Sequence, residues 1–468
     1  MKILFAASEA APYAKVGGLA DVVGSLPAAL THEGTECAII LPKYRSCVPY
    51  AERFLGSVPV TLGWRHQHAG LYVCENAGVK VFFVDNDYYF GGNNIYGYHE
   101  GEAEKFAFFC KAVLELLPIM DFMPDVLHCN DWQTGLIPVL LKTQYPSLRI
   151  KTVFSIHNLK YQGLYSYQLL KDLLGFPDSL FNSEQLEFYG GTSFLKGGLL
   201  YADKLTTVSP TYREETLTPA LGERMEGVLA CRKADYVGIL NGLGTEYDPQ
   251  TDPLIPYAYS SGNTRNKARC KTALRRELSL TDDPKAMLAV MVSRLYEQKG
   301  PDLLFDSIRR LLDSADLQLA VLGSGDPGYE SFFRELADEY PGRVSVTIGY
   351  DNALAHRLYA GGDLFLMPSR YEPCGLAQLI AMKYGTLPLV RRTGGLADTV
   401  KDISDGGWGF CFAAPDARSL EETLHRALAL YQKKPQWNDA RRRAMSADFS
   451  WNESAARYGA LYREICHD

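Results

Sequence analysis

The sequence predicts an α/β protein made of two doubly wound, Rossmann-like domains. Short β-branched runs alternate with amphipathic helical patterns along nearly all of the 468 residues. This alternation is typical of parallel sheets with helices on both faces. A chain of this length also exceeds one ordinary hydrophobic core. Since a polar stretch near residues 242–268 divides the pattern into two series, we expect domains over residues 1–240 and 241–448.

The predicted strands are short apolar runs, each followed by polar or glycine-rich residues. They are Lys2–Ala7, Thr35–Leu41, Val79–Val84, Asp125–Cys129, Ile150–Ile156, Lys204–Val208, Met287–Ser293, Leu317–Leu322, Val344–Ile348, Leu364–Pro368 and Leu387–Val390. Helical patterns at Leu303–Leu312 and Tyr329–Leu336 separate strands of the second half. The first run resembles a signal peptide, but Ser8 and Glu9 interrupt it, so a strand is predicted there.

Composition argues against several classes of protein. Hydrophobic residues make up 47% of the chain and charged residues 22%, which is typical of a soluble globular protein. The net charge is −7, whereas a nucleic-acid binder needs a basic face. The sequence contains no run of about 18 apolar residues, so no membrane span is predicted. The 10 cysteines are scattered without a Cys-x-x-Cys pair. We therefore expect a cytoplasmic enzyme with reduced thiols and no nucleic-acid or membrane partner.

One segment occurs twice, once in each half. Residues 15–23 read Lys-Val-Gly-Gly-Leu-Ala-Asp-Val-Val, and residues 392–400 read Arg-Thr-Gly-Gly-Leu-Ala-Asp-Thr-Val. Two glycine-started helices could share this pattern by coincidence. The interpretation we favour is that each domain presents a helix N-terminus, whose free N–H groups attract an anion, to a cleft ligand. The second copy suits a diphosphate better because Arg391 and Arg392 stand at its start.

The segment Gly323-Ser-Gly325-Asp-Pro-Gly328 matches the dinucleotide fingerprint G-x-G-x-x-G. That fingerprint requires an acidic residue at the end of the next strand, and Asp351 comes slightly late for this role. The motif also lies outside the first strand–helix unit of its domain. A dehydrogenase is therefore the weaker alternative, and a glycine turn beside a nucleotide is the preferred interpretation.

The segment Asp85-Asn-Asp87 resembles the Asp-x-Asp pair with which many glycosyltransferases hold a divalent metal ion on a diphosphate. It lies in the first half, away from the basic residues of the second half. Two solvated loop carboxylates are the simpler interpretation, and we expect no metal ion or other cofactor.

A pair of cations stands at the end of the first predicted strand of the second half, in Ser293-Arg294-Leu-Tyr-Glu-Gln-Lys299-Gly300. Arginine offers a planar fork of donors to a phosphate, and lysine offers a point charge. Together they could neutralise the charge that develops on a departing nucleoside diphosphate. The alternative is two surface cations at a helix start, where the helix dipole disfavours them.

A second segment, Glu372-Pro373-Cys374-Gly375-Leu376, follows a later strand of the same half. A carboxylate at a rigid strand-to-helix turn suits bidentate contact with two neighbouring sugar hydroxyls. Alternatively, Glu372 only favours the first turn of a helix. Cys374 is predicted to be a small packing residue, since no histidine lies near it in the sequence.

In the first half, polar clusters end two hydrophobic strands, at His128-Cys-Asn-Asp131-Trp132 and Ser155-Ile-His157-Asn158. Ligands of open α/β sheets bind at the carboxyl ends of strands. A single histidine is more often structural, but together with Asn158, Asp131 and an aromatic ring His157 becomes a candidate sugar contact. Tyr88, in a loop rich in tyrosine and glycine, could stack on a flat sugar face, although an ordinary ordered loop is equally consistent.

Taken together, the segments at residues 15–22, 128–132, 156–163, 293–300, 372–376 and 392–400 resemble the glycogen/starch synthase family in order and spacing. The resemblance extends from residue 1 to near the C-terminus. It implies the GT-B fold, in which two Rossmann-like domains face each other across a cleft that closes on the substrates. The C-terminal domain would bind the donor and the N-terminal domain the acceptor. A last segment, 449–468, with a helix around Trp451–Ile465, would cross back to the first domain.

The resemblance also implies a role for each matching residue. The catalytic residues would be Glu372, His157, Arg294 and Lys299. Donor contacts would come from Lys15, Gly17, Gly18, Asn241, Arg294, Lys299, Tyr350, Cys374, Gly375, Leu376, Thr393, Gly394, Gly395 and Leu396. Acceptor contacts would come from Tyr88, Asp131 and Trp132. In detail, Arg294 and Lys299 would hold the distal phosphate. The amides of Gly395 and Leu396 would bind the diphosphate, and Tyr350 would stack on the base.

The implied reaction is transfer of glucose, with retention, from ADP-glucose or UDP-glucose to the end of glycogen or another α-1,4-glucan. One segment departs from the family pattern, which has Asn-Gly-(Ile/Val)-Asp followed by Trp: here it reads Asn241-Gly-Leu-Gly244-Thr-Glu-Tyr247. This change leaves local packing and donor preference open. A glucan phosphorylase with lysine-bound pyridoxal phosphate, a nicotinamide oxidoreductase and a non-catalytic glucan-binding protein are the alternatives.

Overall fold

The computed structural model describes residues 1–47, 52–97 and 101–467. It contains two compact units, one formed by residues 1–242 together with the chain from 451 onward, and the other by residues 243–450. The chain passes between the units at 242/243 and 450/451, each position two residues beyond the boundary predicted from the sequence.

The first unit alternates strands and helices. Its strands are β1 (Lys2–Ala6), β2 (Glu36–Pro42), β3 (Arg53–Leu62), β4 (Arg65–Asn76), β5 (Val79–Asp85), β6 (Val126–Asn130), β7 (Lys151–Ile156), β8 (Leu164–Tyr165), β9 (Glu187–Phe188), β10 (Gly191–Ser193), β11 (Lys204–Thr207) and β12 (Tyr236–Gly238). Its helices before residue 242 are α1 (Gly18–His32), α2 (Asp87–Phe90), α3 (Gly101–Leu116), α4 (Leu136–Thr143), α5 (Tyr167–Leu174), α6 (Phe194–Tyr201), α7 (Pro210–Thr216) and α8 (Glu226–Cys231).

The main sheet of this unit has the order β12-β11-β7-β6-β1-β2-β5-β4-β3. All neighbours are parallel except β4 with β5 and β3 with β4. The strand order reverses where β1 lies between β2 and β6, and ligands of doubly wound sheets bind at such a reversal. The loops after β1, β6 and β7 therefore lie at the edge of the sheet where a ligand is expected. A separate small sheet has the order β8-β10-β9.

The β3–β4 hairpin was not predicted from the sequence. Most residues of β3 are exposed or half-buried, and the strand includes Gly56 and Pro59. A strand at the edge of a sheet tolerates proline and has no continuous apolar face, so its sequence lacks the apolar run by which the buried strands were recognised.

The second unit also alternates strands and helices. Its strands are β13 (Met287–Val292), β14 (Leu317–Gly323), β15 (Val344–Ile348), β16 (Leu364–Met367), β17 (Leu387–Arg391) and β18 (Phe410–Phe412). Its helices are α9 (Arg265–Glu277), α10 (Ile308–Ser314), α11 (Pro327–Glu339), α12 (Asn352–Gly361), α13 (Ala377–Lys383), α14 (Gly394–Thr399), α15 (Ala417–Tyr431) and α16 (Lys434–Ser446). The last helix of the chain, α17 (Trp451–His467), belongs to the first unit.

The sheet of the second unit is parallel throughout, with the order β15-β14-β13-β16-β17-β18. This is the strand order of dinucleotide-binding folds, and it reverses between β13 and β16. Alternate residues of β13 enter different cores: Met287 and Met291 pack on one face, and Leu288 and Val290 on the other. Burial on both faces explains why this strand reads as a continuous apolar run.

The predicted helix Leu303–Leu312 begins later than expected. Residues Pro301–Leu304 form a 3-10 turn, and α10 starts only at Ile308. Phe305 stacks on Phe332 of α11 with the ring centres 3.7 Å apart, so a tertiary contact holds the residues that the pattern assigned to the first helical turn.

Helix α17 packs in the first unit through specific polar contacts. Tyr462 OH lies 2.6 Å from His128 Nδ1 in the middle of β6, and Ser454 Oγ donates to Leu240 O at 2.5 Å. Among the described residues, no helix combines the length and the apolar character needed to cross a membrane.

Candidate functional site

In the second unit, the loops after β13 and β16 meet at the reversal of strand order. Lys299 ends a 3-10 turn after β13, and its Nζ lies 2.6 Å from Glu372 Oε2 in the loop after β16. Ser369 Oγ donates to the same carboxylate oxygen at 3.0 Å. Glu372 is buried, so its charge is compensated by the lysine and by a hydroxyl donor. The structure thus brings together two of the four predicted catalytic residues.

The glycine turn after β17 packs directly against Glu372. Gly394 has φ +43°, and a Cβ atom there would lie 1.9 Å from Glu372 O. The amide of Gly395 donates to Glu372 O and to Pro373 O, each at 3.1 Å. Only a residue without a side chain permits this approach. The turn at the start of α14 therefore lies against the backbone of the residue that was predicted to hold the sugar.

The two amides that the resemblance assigns to a diphosphate already have backbone partners. Gly395 N–H donates to the carbonyls just described, and Leu396 N–H donates to Thr393 O at 3.0 Å. Contact between these amides and a diphosphate would require an exchange of hydrogen bonds. The arginines before the turn are also engaged: Arg391 Nε donates to Ala413 O at 3.0 Å, and Arg392 lies 3.7 Å from Asp405.

Arg294 follows β13 and is exposed, with its guanidinium 6.0 Å from the ring centre of Tyr296. Its position after the central strand corresponds to the predicted phosphate contact, but the structure gives it no carboxylate partner among the described residues. Tyr350, in the loop after β15, is 85% exposed, which leaves its ring available to stack on a flat partner.

The segment Cys374–Leu376 lies between Glu372 and helix α13. Cys374 is buried, and Gln378 Nε2 donates to Cys374 O at 3.2 Å and to Gly375 O at 2.9 Å. This pattern supports the prediction that the cysteine packs in the core. The segment holds the loop of Glu372 in place through its carbonyls.

The G-x-G-x-x-G segment has a packing role in this structure. A Cβ atom on Gly323 would lie 1.9 Å from Ser293 O, and Gly325 pairs with Leu295, so the glycines let the loop after β14 pack on the segment that contains Arg294. Asp351, considered as the acidic partner of a dinucleotide motif, accepts a hydrogen bond from Leu354 N at 2.8 Å and caps α12.

In the first unit, the loop between β1 and α1 contains the first glycine pair. The carboxylate of Glu9 accepts hydrogen bonds from Val16 N at 2.5 Å and from Gly17 N at 2.9 Å, and it also accepts from Tyr96 OH. Lys15 Nζ donates to Asp21 at 2.6 Å. Sequence reasoning assigned no role to Glu9. In the sequence, Glu9 stands out only as an acidic residue shortly before the glycine pair. The folded loop shows that its carboxylate accepts hydrogen bonds from these amides.

Asp131 and His157 meet at the ends of β6 and β7. The amide of His157 donates to Asp131 Oδ1 at 2.7 Å, and the backbone of Asp131 has φ +57° and ψ 178°, a conformation that is rare outside glycine. Burial raises the pKa of Asp131 to about 7, although backbone N–H donors partly oppose this. The carboxyl therefore titrates near neutral pH.

Burial lowers the pKa of His157 to about 3, so its imidazole is neutral at physiological pH. The amide nitrogen of Asn130 donates to Ala6 O and His128 O, which leaves its Oδ1 as the acceptor facing His157 Nε2 at 2.9 Å. His157 Nε2 therefore carries the proton, and Nδ1 remains an acceptor. An acceptor nitrogen at a strand end suits a sugar hydroxyl.

The predicted acceptor residues Trp132 and Tyr88 differ in their surroundings. Trp132 is partly buried, with its ring 5.2 Å from Phe106, 5.9 Å from Tyr165 and 5.9 Å from Phe194. Tyr88 on α2 is 75% exposed. The structure thus provides one ring held in an aromatic cluster and one ring in solvent.

Asn241 is buried, and no described residue donates a hydrogen bond to its Oδ1. An unsatisfied buried acceptor is costly unless a ligand completes it, which is consistent with the predicted sugar contact. Nearby in sequence, in the segment that departs from the family pattern, Tyr247 stacks on His356 with the ring centres 5.3 Å apart.

Of Asp85 and Asp87, which were predicted to be solvated loop carboxylates, only Asp87 fits that prediction. Asp85 ends β5, where burial raises its pKa, whereas Asp87 is exposed and lies 3.6 Å from Arg45. Across the described residues, no group of three or more His, Cys, Asp or Glu side chains has the arrangement of a metal site.

Comparison with known families divides the chain at the same place as the fold. The profile described as "Starch synthase catalytic domain" matches residues 2–231, and the profile described as "Glycosyl transferases group 1" matches residues 272–444. Each match covers most of one strand series, and the segment between the two matches contains β12 and Asn241.

Full-length relatives and solved structures agree with these matches. The chain is 45% identical to a glycogen synthase of Geobacillus thermodenitrificans over 99% of this chain and 98% of that protein. It is 44% identical to one of Alkaliphilus metalliredigens over 99% and 100%. The catalytic domain of starch synthase IV from Arabidopsis thaliana, bound to ADP and acarbose, superposes with a TM-score of 0.94 at 33% identity over 100% of this chain and 99% of that chain.

A sucrose-phosphate synthase of Thermosynechococcus elongatus shares only the fold, with a TM-score of 0.65 at 20% identity over 99% of this chain and 98% of that chain. The predicted GT-B fold is confirmed by these neighbours, and the identities to complete glycogen synthases leave no room for the dehydrogenase interpretation. The chain belongs to the glycogen and starch synthase family of glucosyltransferases.

Proposed function

We propose that this chain transfers glucose, with retention of configuration, from ADP-glucose to the non-reducing end of an α-1,4-glucan. Its family makes it a glucosyltransferase of glycogen synthesis, with a nucleotide-sugar donor and a glucan acceptor. ADP-glucose is the preferred candidate donor because the similar starch synthase IV was solved with ADP bound. UDP-glucose is the competing donor. Independence from metal ions and a cytoplasmic location stay predictions from the sequence.

The observation that carries this proposal is the contact of Lys299, Glu372 and the Gly394-Gly395 turn at the strand reversal of the second unit. The lysine supplies positive charge for a leaving diphosphate, and Arg294 after the same strand can add a bidentate contact. Glu372, held by Lys299 and Ser369, would accept hydrogen bonds from two adjacent hydroxyls of the donor glucose.

The chemistry that we propose keeps the reaction on one face of the sugar. The bond between the anomeric carbon and the phosphate oxygen breaks, and its electron pair leaves with the nucleoside diphosphate. The acceptor's 4-hydroxyl forms the new bond on the same face, and its proton passes to the departing phosphate oxygen. Cationic and dipolar groups stabilise the developing negative charge.

The first unit supplies groups suited to neutral sugars. His157 is neutral and offers Nδ1 as an acceptor for a sugar hydroxyl, and Asn241 Oδ1 is an unsatisfied acceptor. Trp132 and Tyr88 offer aromatic faces for glucosyl rings of the acceptor. His157 and Asn241 suit the donor glucose and the two rings suit the glucan chain, because neither sugar carries a charge.

Transfer of labelled glucose to glycogen, measured separately with ADP-glucose and UDP-glucose, tests the proposal. We expect incorporation with ADP-glucose at a kcat/KM at least tenfold above that with UDP-glucose. A preference for UDP-glucose would overturn the donor assignment. Release of glucose 1-phosphate from glycogen and phosphate, with a pyridoxal absorbance band, would instead identify a phosphorylase.

A further inference from the structure

Gln378, on helix α13, lies between two loops that are proposed to hold the donor. Its side chain is fully buried. The amide nitrogen Nε2 lies 3.2 Å from Cys374 O, 2.9 Å from Gly375 O and 3.2 Å from Thr399 Oγ1. Two of these acceptors belong to the loop that follows Glu372, and the third belongs to helix α14, which begins at the glycine turn. One side chain thus connects the loop of Glu372 with the turn assigned to the diphosphate.

The chemistry of the neighbours fixes which end of this amide faces them. Carbonyl oxygens only accept hydrogen bonds, so the NH2 group and not the amide oxygen faces Cys374 and Gly375. The oxygen, Gln378 Oε1, receives no hydrogen bond from any described residue, and a buried acceptor without a donor lowers stability. An apolar side chain of similar length would avoid that cost. Packing alone therefore does not account for a glutamine here, whereas a need to connect two loops does.

Thr399 passes the contact on to the glycine turn. Its hydroxyl donates to Gly395 O at 2.6 Å, which leaves the oxygen of the hydroxyl to accept from Gln378. Because a trans peptide unit is planar, the direction of the Gly395 carbonyl sets the direction of the Leu396 N–H on the opposite side of the same unit. Leu396 N–H is one of the two amides that the resemblance assigns to the diphosphate. The hydrogen bonds of Gln378 and Thr399 therefore constrain where this amide points.

A second buried threonine of the same unit shows what Thr399 has in addition. Thr423 on α15 also donates its hydroxyl to the carbonyl four residues earlier, Ser419 O, at 2.9 Å. Among the hydrogen bonds of the described residues, Thr423 Oγ1 receives none from another element, whereas Thr399 Oγ1 receives the one from Gln378. The two threonines therefore form a matched pair for substitution.

We propose that Gln378 and Thr399 are positioning residues of the donor site, which hold the peptide unit between Gly395 and Leu396 in place beside the loop that precedes α13. The Leu396 amide can then exchange Thr393 O for a phosphate oxygen while the turn itself does not move. The inference rests on the proposed function, because it takes the donor to be a nucleotide sugar. Both side chains act through the backbone of the turn. Their loss should consequently weaken binding of the nucleotide and leave binding of the glucan unchanged.

Substitutions at the two positions separate positioning from packing. Thr399→Val replaces the hydroxyl by a methyl group of similar size, Thr399→Ser keeps the hydroxyl, and Gln378→Met keeps the length of the side chain without its N–H donors. Thr423→Val is the matched control. The affinity of the whole chain for ADP is measured by titration calorimetry, KM is measured for ADP-glucose and for glycogen, and thermal unfolding reports the stability of each variant.

We expect Thr399→Val and Gln378→Met to raise the Kd for ADP and the KM for ADP-glucose roughly tenfold, the order expected for loss of one buried hydrogen bond, and to leave the KM for glycogen unchanged. Thr399→Ser should bind ADP as tightly as the parent. Thr423→Val should lose about as much thermal stability as Thr399→Val, because it loses a hydrogen bond of the same kind, but it should keep the parent's Kd for ADP.

A parental Kd for ADP in Thr399→Val, or an equal rise in Kd in Thr423→Val, would overturn the inference while leaving the proposed function intact. If Gln378→Met does not fold, the comparison of Thr399→Val with Thr399→Ser decides the question. A parent that transfers glucose only from UDP-glucose would overturn the donor assignment instead, and the same comparison is then made with UDP and UDP-glucose. A parent that glucosylates no glucan from either donor would overturn the proposed function.

Discussion

The two units solve the problem of a buried polar site in opposite ways. In the second unit, the buried carboxylate of Glu372 is compensated by the ammonium of Lys299 at 2.6 Å. In the first unit, burial raises the pKa of Asp131 to about 7 and lowers that of His157 to about 3, which moves both groups toward their neutral forms. The same doubly wound scaffold therefore contains a charged site in one unit and a neutral site in the other, according to whether a buried charge has a partner.

The two copies of the repeated glycine segment also differ in the groups that their backbone amides contact. In the first copy a carboxylate, Glu9, binds the amides of Val16 and Gly17. In the second copy a carbonyl, that of Glu372, accepts from Gly395. Identical glycine pairs thus lie beside different partners, because residues outside the repeated segment decide what each helix start contacts.

The largest expected effect tests the charged site. Glu372→Gln should lower kcat/KM by roughly 10³-fold, since a group aimed at the reacting sugar is lost and Lys299 is left without its partner. Steady-state transfer from ADP-glucose to glycogen measures this. The control is Glu339→Gln, because Glu339 is an exposed carboxylate paired with Arg309 at 2.7 Å, and it should change activity less than twofold. A Glu372→Gln variant of near-normal activity would remove the proposed sugar contact.

A double-mutant cycle tests whether Lys299 compensates the buried charge of Glu372. Lys299→Gln and Glu372→Gln should each lower the free energy of unfolding. The double variant should be more stable than the sum of the two losses predicts by about 2 kcal/mol, because each single change leaves the other charge of the pair without its partner. Urea denaturation measures the free energy of unfolding of the parent and of the three variants. Additive losses would show that the ion pair does not stabilise the unit.

Two exposed rings test the proposed division between donor and acceptor. Tyr350→Ala should raise KM for ADP-glucose about tenfold and leave KM for glycogen unchanged, since stacking on a base contributes roughly 1–3 kcal/mol. Tyr88→Ala should raise KM for glycogen several-fold and leave KM for the donor unchanged. Because both rings are mostly exposed, at 85% and 75%, thermal stability should not change. A rise in KM for glycogen in Tyr350→Ala, or a rise in KM for the donor in Tyr88→Ala, would contradict the proposed roles of the two rings.

The smallest expected effect concerns the neutral site. Since the pKa of Asp131 is about 7 in the folded chain against an ordinary value of 3.8, the folded protein holds a proton that the unfolded chain releases between these values. Asp131 therefore destabilises the fold increasingly as pH rises from about 4 to 7.

Asp131→Asn cannot ionise, so the variant should melt a few degrees above the parent at pH 8, with a smaller difference at pH 5. Thermal unfolding at the two pH values measures the difference, and Asp87→Asn, at an exposed carboxylate, is the control. An equal difference at both pH values would show that burial does not shift this carboxyl.

Sequence patterns were sufficient to predict the strands that are buried on both faces. Strand β13 was predicted because both of its faces are buried, and it ends within one residue of the prediction. The β3–β4 hairpin was missed because an exposed edge needs no apolar run. Among the candidate residues, Lys299 and Glu372 were chosen for their chemistry and lie together. Glu9 and Gln378 were not chosen, because an acid in a loop and a glutamine in an apolar helix have no distinguishing local pattern.

The sequence by itself determined the alternation of strands and helices, the two series and the polar residues that end each strand, because these depend on neighbours along the chain. Only the tertiary structure decided which charges are paired, which amides are already bonded and which buried side chains connect separate loops. Lys299 and Glu372 are 73 residues apart in the sequence. Their contact, like the pKa values of Asp131 and His157, depends on packing between elements, and hydrogen bonding and desolvation act over a few ångströms of space whatever the separation along the chain.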